Sequence, residues 1–396
     1  MEKVATLTMS RWAILGSYAL LAACTQMLWL TFAAVDTQTA ALMHVDVGTV
    51  GDLAAIFPFV YIVLALPTGR WLDLRFGQAL GVGALLTGGG ALVRLVSPSS
   101  VGWQLAGQLV IAAGQPLVLN SITKVAARYF PPNERAAAIS IGTAALFIGI
   151  LAAVLSAGPL LTAGGLPLLL GVQAGPAVVA AVLVLIAFRT VPSFPDDPSA
   201  TVSLRWLAND RFMWTLAGLV FIGMGTYNAV ATWLQPILAH FGEGAAAGTL
   251  VAVLTFAGVI GAAILPSAVA TRDKRRDLLL AALAMSAIAF TAMAVNANYI
   301  WLGVWMFAEG FLLLASLPVV LEWSEIHAGP ERQGAAVGFL MMAGNLGGLV
   351  LVLAVQAVIG NPYLSLGAMA VVALLGIPVA LRLPSRASAQ VGIGSR

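Results

Sequence analysis

The stretch LPTGRWLDLRFG, residues 66–77, places a short charged turn between two long apolar runs, and the chain contains a second version of it. LPSAVATRDKRR, residues 265–276, begins with the same Leu-Pro pair and ends in a comparable group of charges, 199 positions later. Two further pairs of similar stretches follow in the same order: QPLVLN at 115–120 with LPVVLE at 317–322, and PPNERAAA at 131–138 with GPERQGAA at 329–336. These pairs predict that the chain consists of two related halves.

The composition excludes a soluble protein. Of the 396 residues, 60% are hydrophobic and 9% charged, whereas a soluble chain carries about 25% charged residues. Most of the outer surface must therefore face a lipid bilayer. The single cysteine, Cys24, lies in an apolar run and the three histidines are scattered, so we expect no disulfide, metal site, cofactor or catalytic set, and no enzyme. The net charge of +3 gives no support for a nucleic-acid partner.

Twelve apolar runs have the length that a bilayer core requires of a helix, about 17 to 25 residues. They are continuously apolar, which is typical of helices and not of the alternating strands of a membrane barrel. The runs lie at 13–35, 47–69, 78–97, 102–126, 136–158, 167–188, 212–235, 246–270, 278–296, 299–321, 334–359 and 364–382. The prediction is an all-α integral membrane protein with twelve transmembrane helices.

A polar, proline-rich interval at residues 189–211 separates six runs from six. We therefore predict an N-terminal six-helix bundle at 1–188, a cytoplasmic linker at 189–211 and a C-terminal six-helix bundle with a short tail at 212–396. Every Lys and Arg except Arg94 then falls at or near one membrane face, which the positive-inside rule assigns to the cytoplasm. We expect both termini on that side and the protein in the cell membrane, which for a bacterial source is the inner membrane.

The charged turn resembles the signature loop of the major facilitator superfamily, whose two six-helix halves hold substrate near the membrane midplane. In GRWLDLRFG, residues 69–77, Gly69, Asp73 and Arg75 occupy the matching positions. Asp73 can accept hydrogen bonds from the amides at the end of a neighbouring helix, and Arg75 can pair with an acid, so such contacts can favour one access state. The candidates for this conformational latch are Gly69, Asp73, Arg75, Glu134, Arg135 and Glu322.

Three further stretches narrow the resemblance: TQMLWLTFA at 25–33, GQPLVLNSITKVAARYFPPNERAAAISIG at 114–142 and PERQGAAVGFLMMAGNLGG at 330–348. They resemble the feline leukaemia virus subgroup C receptor-related branch of the superfamily, including its bacterial members. Animal members of that branch move choline and ethanolamine and have also been assigned haem, and their cation site combines aromatic rings with a few amides. The resemblance therefore implies a small organic cation as the substrate.

Carried over position by position, the resemblance implies substrate contacts for Gln115, Tyr227 and Asn345, the last standing where animal members have glutamine. The first-span tryptophan has no clean match, because Met27 holds the aligned position and Trp29 lies two residues later. Aromatic faces attract a quaternary ammonium independently of any family, which suits Trp29 and Tyr227. Simple packing is the alternative for these rings.

The fourth apolar run contains polar residues that need partners or water at bilayer depth. Gln115 either lines a cavity or joins two helices by a hydrogen bond. Asn120 and Lys124 lie four residues apart and so share a helix face. We expect Asn120 to serve a structural or inner-gate role or to contact substrate, and Lys124 to extend to water at the cytoplasmic end.

Charged residues at the ends of other runs suggest ion pairs. Asp52 and Arg94 lie at the same outer level of the second and third runs and could form an outer gate. Glu322, at the inner end of the tenth run, is either a solvated helix end or the partner of one of three arginines, Arg128, Arg135 or Arg332.

These features predict a secondary transporter for a small organic solute, most simply a choline-like or ethanolamine-like cation, that works by alternating access as a monomer. Proton-coupled efflux of a hydrophobic drug or a haem-like compound is the alternative, with protons as a further partner. Glu309 would then be the proton carrier, although a neutral carboxyl in a helix interface is equally compatible with its position. A non-transporting membrane receptor is the third hypothesis.

Overall fold

The structure is a computed structural model that describes residues 9–194 and 204–385. Lys3, Arg386 and Arg396, which the sequence places with the cytoplasmic charges, lie outside the described residues, as does part of the predicted linker. Throughout the described residues the regular structure is helical, without strands. The helices are α1 (Arg11–Trp29), α2 (Asp36–Met43), α3 (Val47–Val93), α4 (Val101–Leu119), α5 (Ile122–Tyr129), α6 (Pro132–Ala187), α7 (Arg205–Asn209), α8 (Arg211–Ala239), α9 (Ala247–Thr271), α10 (Arg275–Val295), α11 (Tyr299–Ala328), α12 (Gln333–Gln356) and α13 (Pro362–Ala380).

Within the described part of the chain, nine helices are long and apolar enough to cross a membrane. Helices α4 and α5, which meet at a bend of 41°, would together make a tenth crossing. Helix α3 has 47 residues and α6 has 56, so at 1.5 Å per residue each is more than twice as long as the bilayer core is thick, about 30 Å. The prediction of an all-α membrane protein is thereby confirmed.

Both of these long helices contain a local break. In α3 the backbone leaves helical geometry at Arg75, with φ −146° and ψ 60°, inside the charged turn that follows the second apolar run. In α6 the break falls at Gly164 and Gly165, and Gly165 has φ 66° and ψ −164°. A side chain would strain that conformation, whereas glycine adopts it freely. The position of the break in α6 therefore follows from its glycine pair.

The described residues group into two compact units. The first draws on the ranges Met1–Ala138, Ala145–Val202 and Pro330–Gly338, and the second on Ile139–Ala144, Ser203–Gly329 and Phe339–Arg396. In the first unit α3 packs along α4, and α1 packs against both. In the second unit α9 packs along α11, while α10 contacts α11 and α13. The first residues of α12 thus belong to the first unit and the rest of that helix to the second.

Candidate functional site

Asp73 lies at the centre of a buried cluster in the first unit. Its Oδ1 accepts hydrogen bonds from the backbone N–H of Gly334 at 2.7 Å and from Lys124 Nζ at 3.0 Å. Its Oδ2 accepts from the backbone N–H of Ala335 at 2.8 Å. Both amides belong to the first turn of α12, where backbone N–H groups have no partner within the helix and the helix dipole favours negative charge. The carboxylate therefore caps α12 and pairs with a buried lysine.

Gly69 lies one turn before Asp73 and brings the two backbones together. A Cβ on Gly69 would collide with the carbonyl of Gly334, and a Cβ on Gly334 would collide with the carbonyl of Gly69. Any side chain at Gly69 would therefore push the start of α12 away from the Asp73 carboxylate. The glycine of the signature loop is required here by close approach.

One expectation about a neighbouring charge is wrong, and a second is not met in this conformation. Lys124 does not extend to water, because its side chain is fully buried and donates to Asp73 and to the carbonyl of Pro330 at 3.3 Å. The Asp73 carboxylate gives the ammonium group a partner inside the unit. Arg75 makes no ion pair within the described residues; it is exposed and donates to Gln78 Oε1 at 3.5 Å.

The first turn of α6 supplies an ion pair and a set of backbone contacts. Glu134 Oε1 lies 2.8 Å from Arg11 Nη2 at the start of α1. Both side chains are partly exposed, so the pair contributes little to stability. Arg135 donates to the carbonyls of Phe130 and Ala127, at 3.2 Å and 3.1 Å. These bonds fix the turn that ends α5.

Glu322 has a partner that the sequence analysis missed. Its two carboxyl oxygens accept from Arg275 Nε and Nη2 at 2.5 Å and 2.6 Å, in the second unit. Arg275 Nη1 also donates to Asp273 at 3.0 Å. The bidentate partner of Glu322 is thus Arg275 and not one of the expected arginines, Arg128, Arg135 or Arg332. The internal repeat indicates only the turn, because it aligns LPSAVATRDKRR with the stretch that contains Asp73, and three arginines lie on that turn.

Asn120 ends α4 and is bound to α3. Its amide nitrogen donates to the Ala65 carbonyl at 3.1 Å and to Thr68 Oγ1 at 3.3 Å, and its Oδ1 accepts from the Tyr61 hydroxyl at 2.6 Å. These bonds favour the structural alternative for Asn120. Tyr61 was missed, although a hydroxyl at that depth of an apolar run requires a partner.

The predicted substrate residues of the first unit differ in their surroundings. Gln115 is buried in α4, and its Nε2 has no hydrogen-bond partner within the described residues. Trp29 is half-buried, donates from its indole to the Ala54 carbonyl at 2.9 Å, and has its ring 6.3 Å from that of Phe57. Met27 is half-buried on α1. The bond to Ala54 fixes the orientation of the Trp29 ring.

The predicted substrate residues of the second unit lie on α8 and α12. Tyr227 is half-buried, and its hydroxyl lies 3.2 Å from Thr255 Oγ1 on α9. Asn345 is half-buried and donates from Nδ2 to the Met341 carbonyl at 2.8 Å. The two helices approach closely, since a Cβ on Gly225 would meet the Gly347 carbonyl.

Two charged residues, Glu309 and Arg94, are almost completely buried. Glu309 is completely buried in α11, and neither carboxyl oxygen makes a hydrogen bond within the described residues. Arg94 is buried at the end of α3 and bonds to Gln104 and to the Leu28 carbonyl. Asp52 is exposed. The expected outer pair of Asp52 and Arg94 is therefore absent from the described structure.

Comparisons with known proteins agree with this architecture. The family model described as Major Facilitator Superfamily matches residues 14–352. The crystal structure of the human organic anion transporter MFSD10 is similar with a TM-score of 0.77 at 11% identity, over 94% of this chain and 100% of that one. At such low identity this similarity shows the fold alone.

Two relatives are relevant to the branch of the superfamily that the sequence resembles. Solute carrier family 49 member A3 of Danio rerio is 29% identical over 371 residues, which cover 88% of this chain and 78% of that protein. The choline/ethanolamine transporter FLVCR2 of Rattus norvegicus is 22% identical over 391 residues, which cover 91% of this chain and 71% of that protein. The resemblance inferred from the sequence, to the superfamily and to this branch, is confirmed.

Proposed function

The chain belongs to the Major Facilitator Superfamily and is a multi-pass membrane transporter, and we propose that it moves a small organic cation such as choline or ethanolamine by alternating access. The relative named as a choline/ethanolamine transporter supports this substrate class. The half-buried aromatic ring of Tyr227 supports it independently. No step of this proposal requires a catalytic group or a cofactor.

We propose that the chain crosses the membrane twelve times. Division of α3 at Arg75 and of α6 at Gly164 and Gly165 turns two helices into four spans, and α4 with α5 forms one. The six-helix halves are then 1–188 and 212–396, joined by the linker 189–211. The basic residues support cytoplasmic termini, and the protein functions as a monomer in the cell membrane.

The conformational latch of this proposal is the Asp73 cluster. Hydrogen bonds from Gly334 and Ala335 hold the carboxylate to α12 in the conformation described here. Alternating access requires some contacts that exist in only one state, and a capped helix N-terminus is a contact that a small helix movement can break. We propose that these two bonds open once in each transport cycle.

The observation that carries the substrate class is the fixed geometry of Tyr227. Its hydroxyl lies 3.2 Å from Thr255 Oγ1, which fixes the orientation of the ring, and the cation would pack against the face of that ring. A quaternary ammonium on such a face gains on the order of 2 kcal/mol when desolvated. Gln115, Asn345 and Trp29 would contribute further contacts, Gln115 because its Nε2, which lacks a partner in the described structure, can donate to the hydroxyl oxygen of choline or ethanolamine.

The test is choline binding and uptake by the purified protein in proteoliposomes. Tyr227→Ala should weaken choline by about 1 to 2 kcal/mol, roughly five- to thirty-fold in affinity. Tyr227→Phe should retain most of the affinity because it keeps the ring face. Tyr363→Ala, at an exposed ring at the start of α13, is the matched control and should leave affinity unchanged.

Gln115→Leu separates the two hypotheses for that residue. A substrate contact predicts weaker choline binding with unchanged melting temperature, whereas a link between helices predicts the reverse. If choline neither binds nor enters the vesicles, or if Tyr227→Ala binds it as well as the original protein does, the cation proposal is wrong.

Glu309 supports proton-coupled efflux as a second candidate. A completely buried carboxyl without a hydrogen-bond partner in the described residues is costly when ionised, and such groups in membrane spans frequently mark proton pathways. Glu309→Gln should abolish acceleration of transport by an imposed pH gradient, while Glu243→Gln, in the loop after α8, should not. A Glu309→Gln protein that still responds to the gradient would exclude this role.

A further inference from the structure

Arg94 is a buried cation without a buried anion. Its side chain is 1% exposed and lies within the first unit, at the end of α3. Nε donates to Gln104 Oε1 at 3.2 Å, and Nη1 donates to the Leu28 carbonyl at 3.3 Å. Its guanidinium carbon lies 5.2 Å from the centre of the Phe32 ring. Within the described residues Arg94 forms no ion pair, and its Nη2 has no hydrogen-bond partner.

The neighbouring polar groups add donors and no charge. Thr31 has a single hydroxyl hydrogen, which it donates to the nearer acceptor, Gln173 Oε1 at 2.6 Å, although its oxygen also lies 2.9 Å from the same Leu28 carbonyl. The Oε1 acceptor of Gln173 is therefore used, while its Nε2 has no partner in the described structure. Gln108 lies one turn after Gln104 on α4, is fully buried, and has no partner for either end of its amide. The cluster has more buried donors than acceptors.

The partial charges nearby are too small to balance the guanidinium. The Leu28 carbonyl belongs to the last turn of α1, whose dipole is equivalent to about half a negative charge. The Phe32 ring attracts the cation but carries no net charge. An uncompensated ion in a low-dielectric interior is costly, so a missing negative charge is expected close to Nη2.

The fold makes room for the guanidinium and covers it. A Cβ on Gly107 would collide with the Arg94 side chain, so α4 presents a glycine where the arginine crosses it. Phe32, which stacks on Arg94, also belongs to an apolar cluster contributed by α2, α3 and α6. That cluster includes Met43, Leu53 and Leu169. The polar groups are therefore held in place and separated from water.

We propose that Arg94, Gln108 and Gln173 bind a small inorganic monoanion of the chloride class inside the first unit. A spherical monoanion supplies one negative charge and accepts several N–H donors at once, which matches the N–H groups of Arg94, Gln108 and Gln173 that lack a partner in the described structure. This site is distinct from the residues proposed to contact substrate, and its role is to stabilise the bundle.

The experiment measures thermal unfolding of the full-length purified protein while sodium gluconate is replaced stepwise by sodium chloride at constant ionic strength. A tenfold excess of chloride over its dissociation constant should raise the melting temperature by about 1 to 2 °C. Arg94→Gln should lose this chloride-dependent rise. Arg70→Gln, at an exposed arginine of the same helix, should keep it. Retention of ³⁶Cl⁻ by the same proteins gives a second readout.

Gln173→Leu keeps the folded protein testable if Arg94→Gln does not fold. It removes one donor and keeps the arginine, so the chloride concentration at half-effect should rise several-fold. An equal response of the original protein to gluconate and chloride, as expected if water alone fills the cluster, would overturn the proposal. So would an unchanged chloride midpoint in Gln173→Leu.

Discussion

In the described residues each unit has a buried ion pair near the turn that the internal repeat predicts, but the charges are reversed. In the first unit the acid, Asp73, lies on the turn and the base, Lys124, on α5. In the second unit the base, Arg275, lies at the turn and the acid, Glu322, on α11. The two pairs also differ in burial, since Lys124 and Asp73 have no exposed side-chain surface whereas Arg275 retains 9%.

The difference lies in what else each acid can bind. The Asp73 carboxylate accepts from two amides of α12 in addition to Lys124, so it links three helices. The Glu322 carboxylate is occupied by both arms of one guanidinium, which is the strongest arrangement for a single pair. A carboxylate shared with a helix terminus can serve as a switch, whereas a bidentate pair serves to fix α10 against α11.

The largest effect should come from Lys124→Met, which leaves the Asp73 carboxylate buried without its cation. Loss of one partner of a fully buried pair typically costs about 3 to 5 kcal/mol, and we expect a loss of that size in the free energy of unfolding. Thermal and chemical unfolding in detergent measure it. The double variant with Asp73→Asn should recover part of the loss, because no buried charge remains. A double variant that is as unstable as the sum of the single ones would contradict the pairing.

Arg275→Met should lower the free energy of unfolding by less than Lys124→Met does. Glu322 is 8% exposed, so water can reach part of the carboxylate, and we expect about 1 to 3 kcal/mol. The exchanged pair Arg275→Glu with Glu322→Arg should recover part of this loss, because the pair itself joins only α10 and α11, while the new carboxylate at 275 would lie beside Asp273. The corresponding exchange of Asp73 and Lys124 should fail, because the amides of Gly334 and Ala335 would then face a lysine. If the exchanged pairs recovered stability equally in both units, the Asp73 contact would be no more a switch than the Arg275–Glu322 pair.

The sequence predicted the fold from the length and spacing of the apolar runs, which depend only on the bilayer. It also predicted that Asp73 would accept from the amides of a helix end, because the signature loop places an acid on a short turn. It could not identify Arg275 as the partner of Glu322, because several arginines lie within the same predicted loops. The burial of Lys124 escaped prediction for a related reason, since spacing along one helix does not show which neighbour supplies a counter-charge.

Measurements of transport should distinguish Asp73 from Asp273, the acids near the turns of the first and second units. Asp73→Asn keeps the size of the side chain but removes the anion that pairs with the buried Lys124 and offers one acceptor to two amides, so the contact with α12 weakens. We expect turnover to fall about tenfold, which corresponds to about 1.4 kcal/mol in the barrier. Asp273→Asn is the matched control: it removes an acid at the turn of the second unit, at a positive φ of 53° that asparagine tolerates.

Uptake rate and equilibrium binding should be measured on the same preparations of both variants. Asp73→Asn should reduce the rate and leave affinity nearly unchanged, because the latch touches no substrate. If affinity falls with the rate while the protein remains folded, Asp73 acts on the binding residues and the latch assignment is wrong.

The smallest effect on stability should come from a third contact, the pair of Asp210 and His327 at the start of α8. Unlike the other two pairs, it is only partly buried. Asp210 Oδ2 lies 2.7 Å from His327 Nε2, and Oδ1 accepts from the N–H of Met213 at the start of α8. Burial works to raise the pKa of Asp210, but the hydrogen bonds from His327 and Met213 outweigh it, so the pKa lies below its ordinary value. A carboxyl with a lowered pKa adds stability above its unfolded value, about pH 3.9, and that stability is lost as the pH falls through the folded value.

Asp210→Asn keeps an effective helix cap and removes the charge, so at pH 7 it should cost less than about 1 kcal/mol. The difference in melting temperature between the original protein and Asp210→Asn should therefore shrink as the pH falls below about 4. Asp277→Asn, at an exposed acid in the first turn of α10, is the control and should show no such dependence on the His327 contact. A difference that stays constant from pH 7 to pH 3 would mean that the Asp210 charge contributes nothing and that the cap alone holds α8.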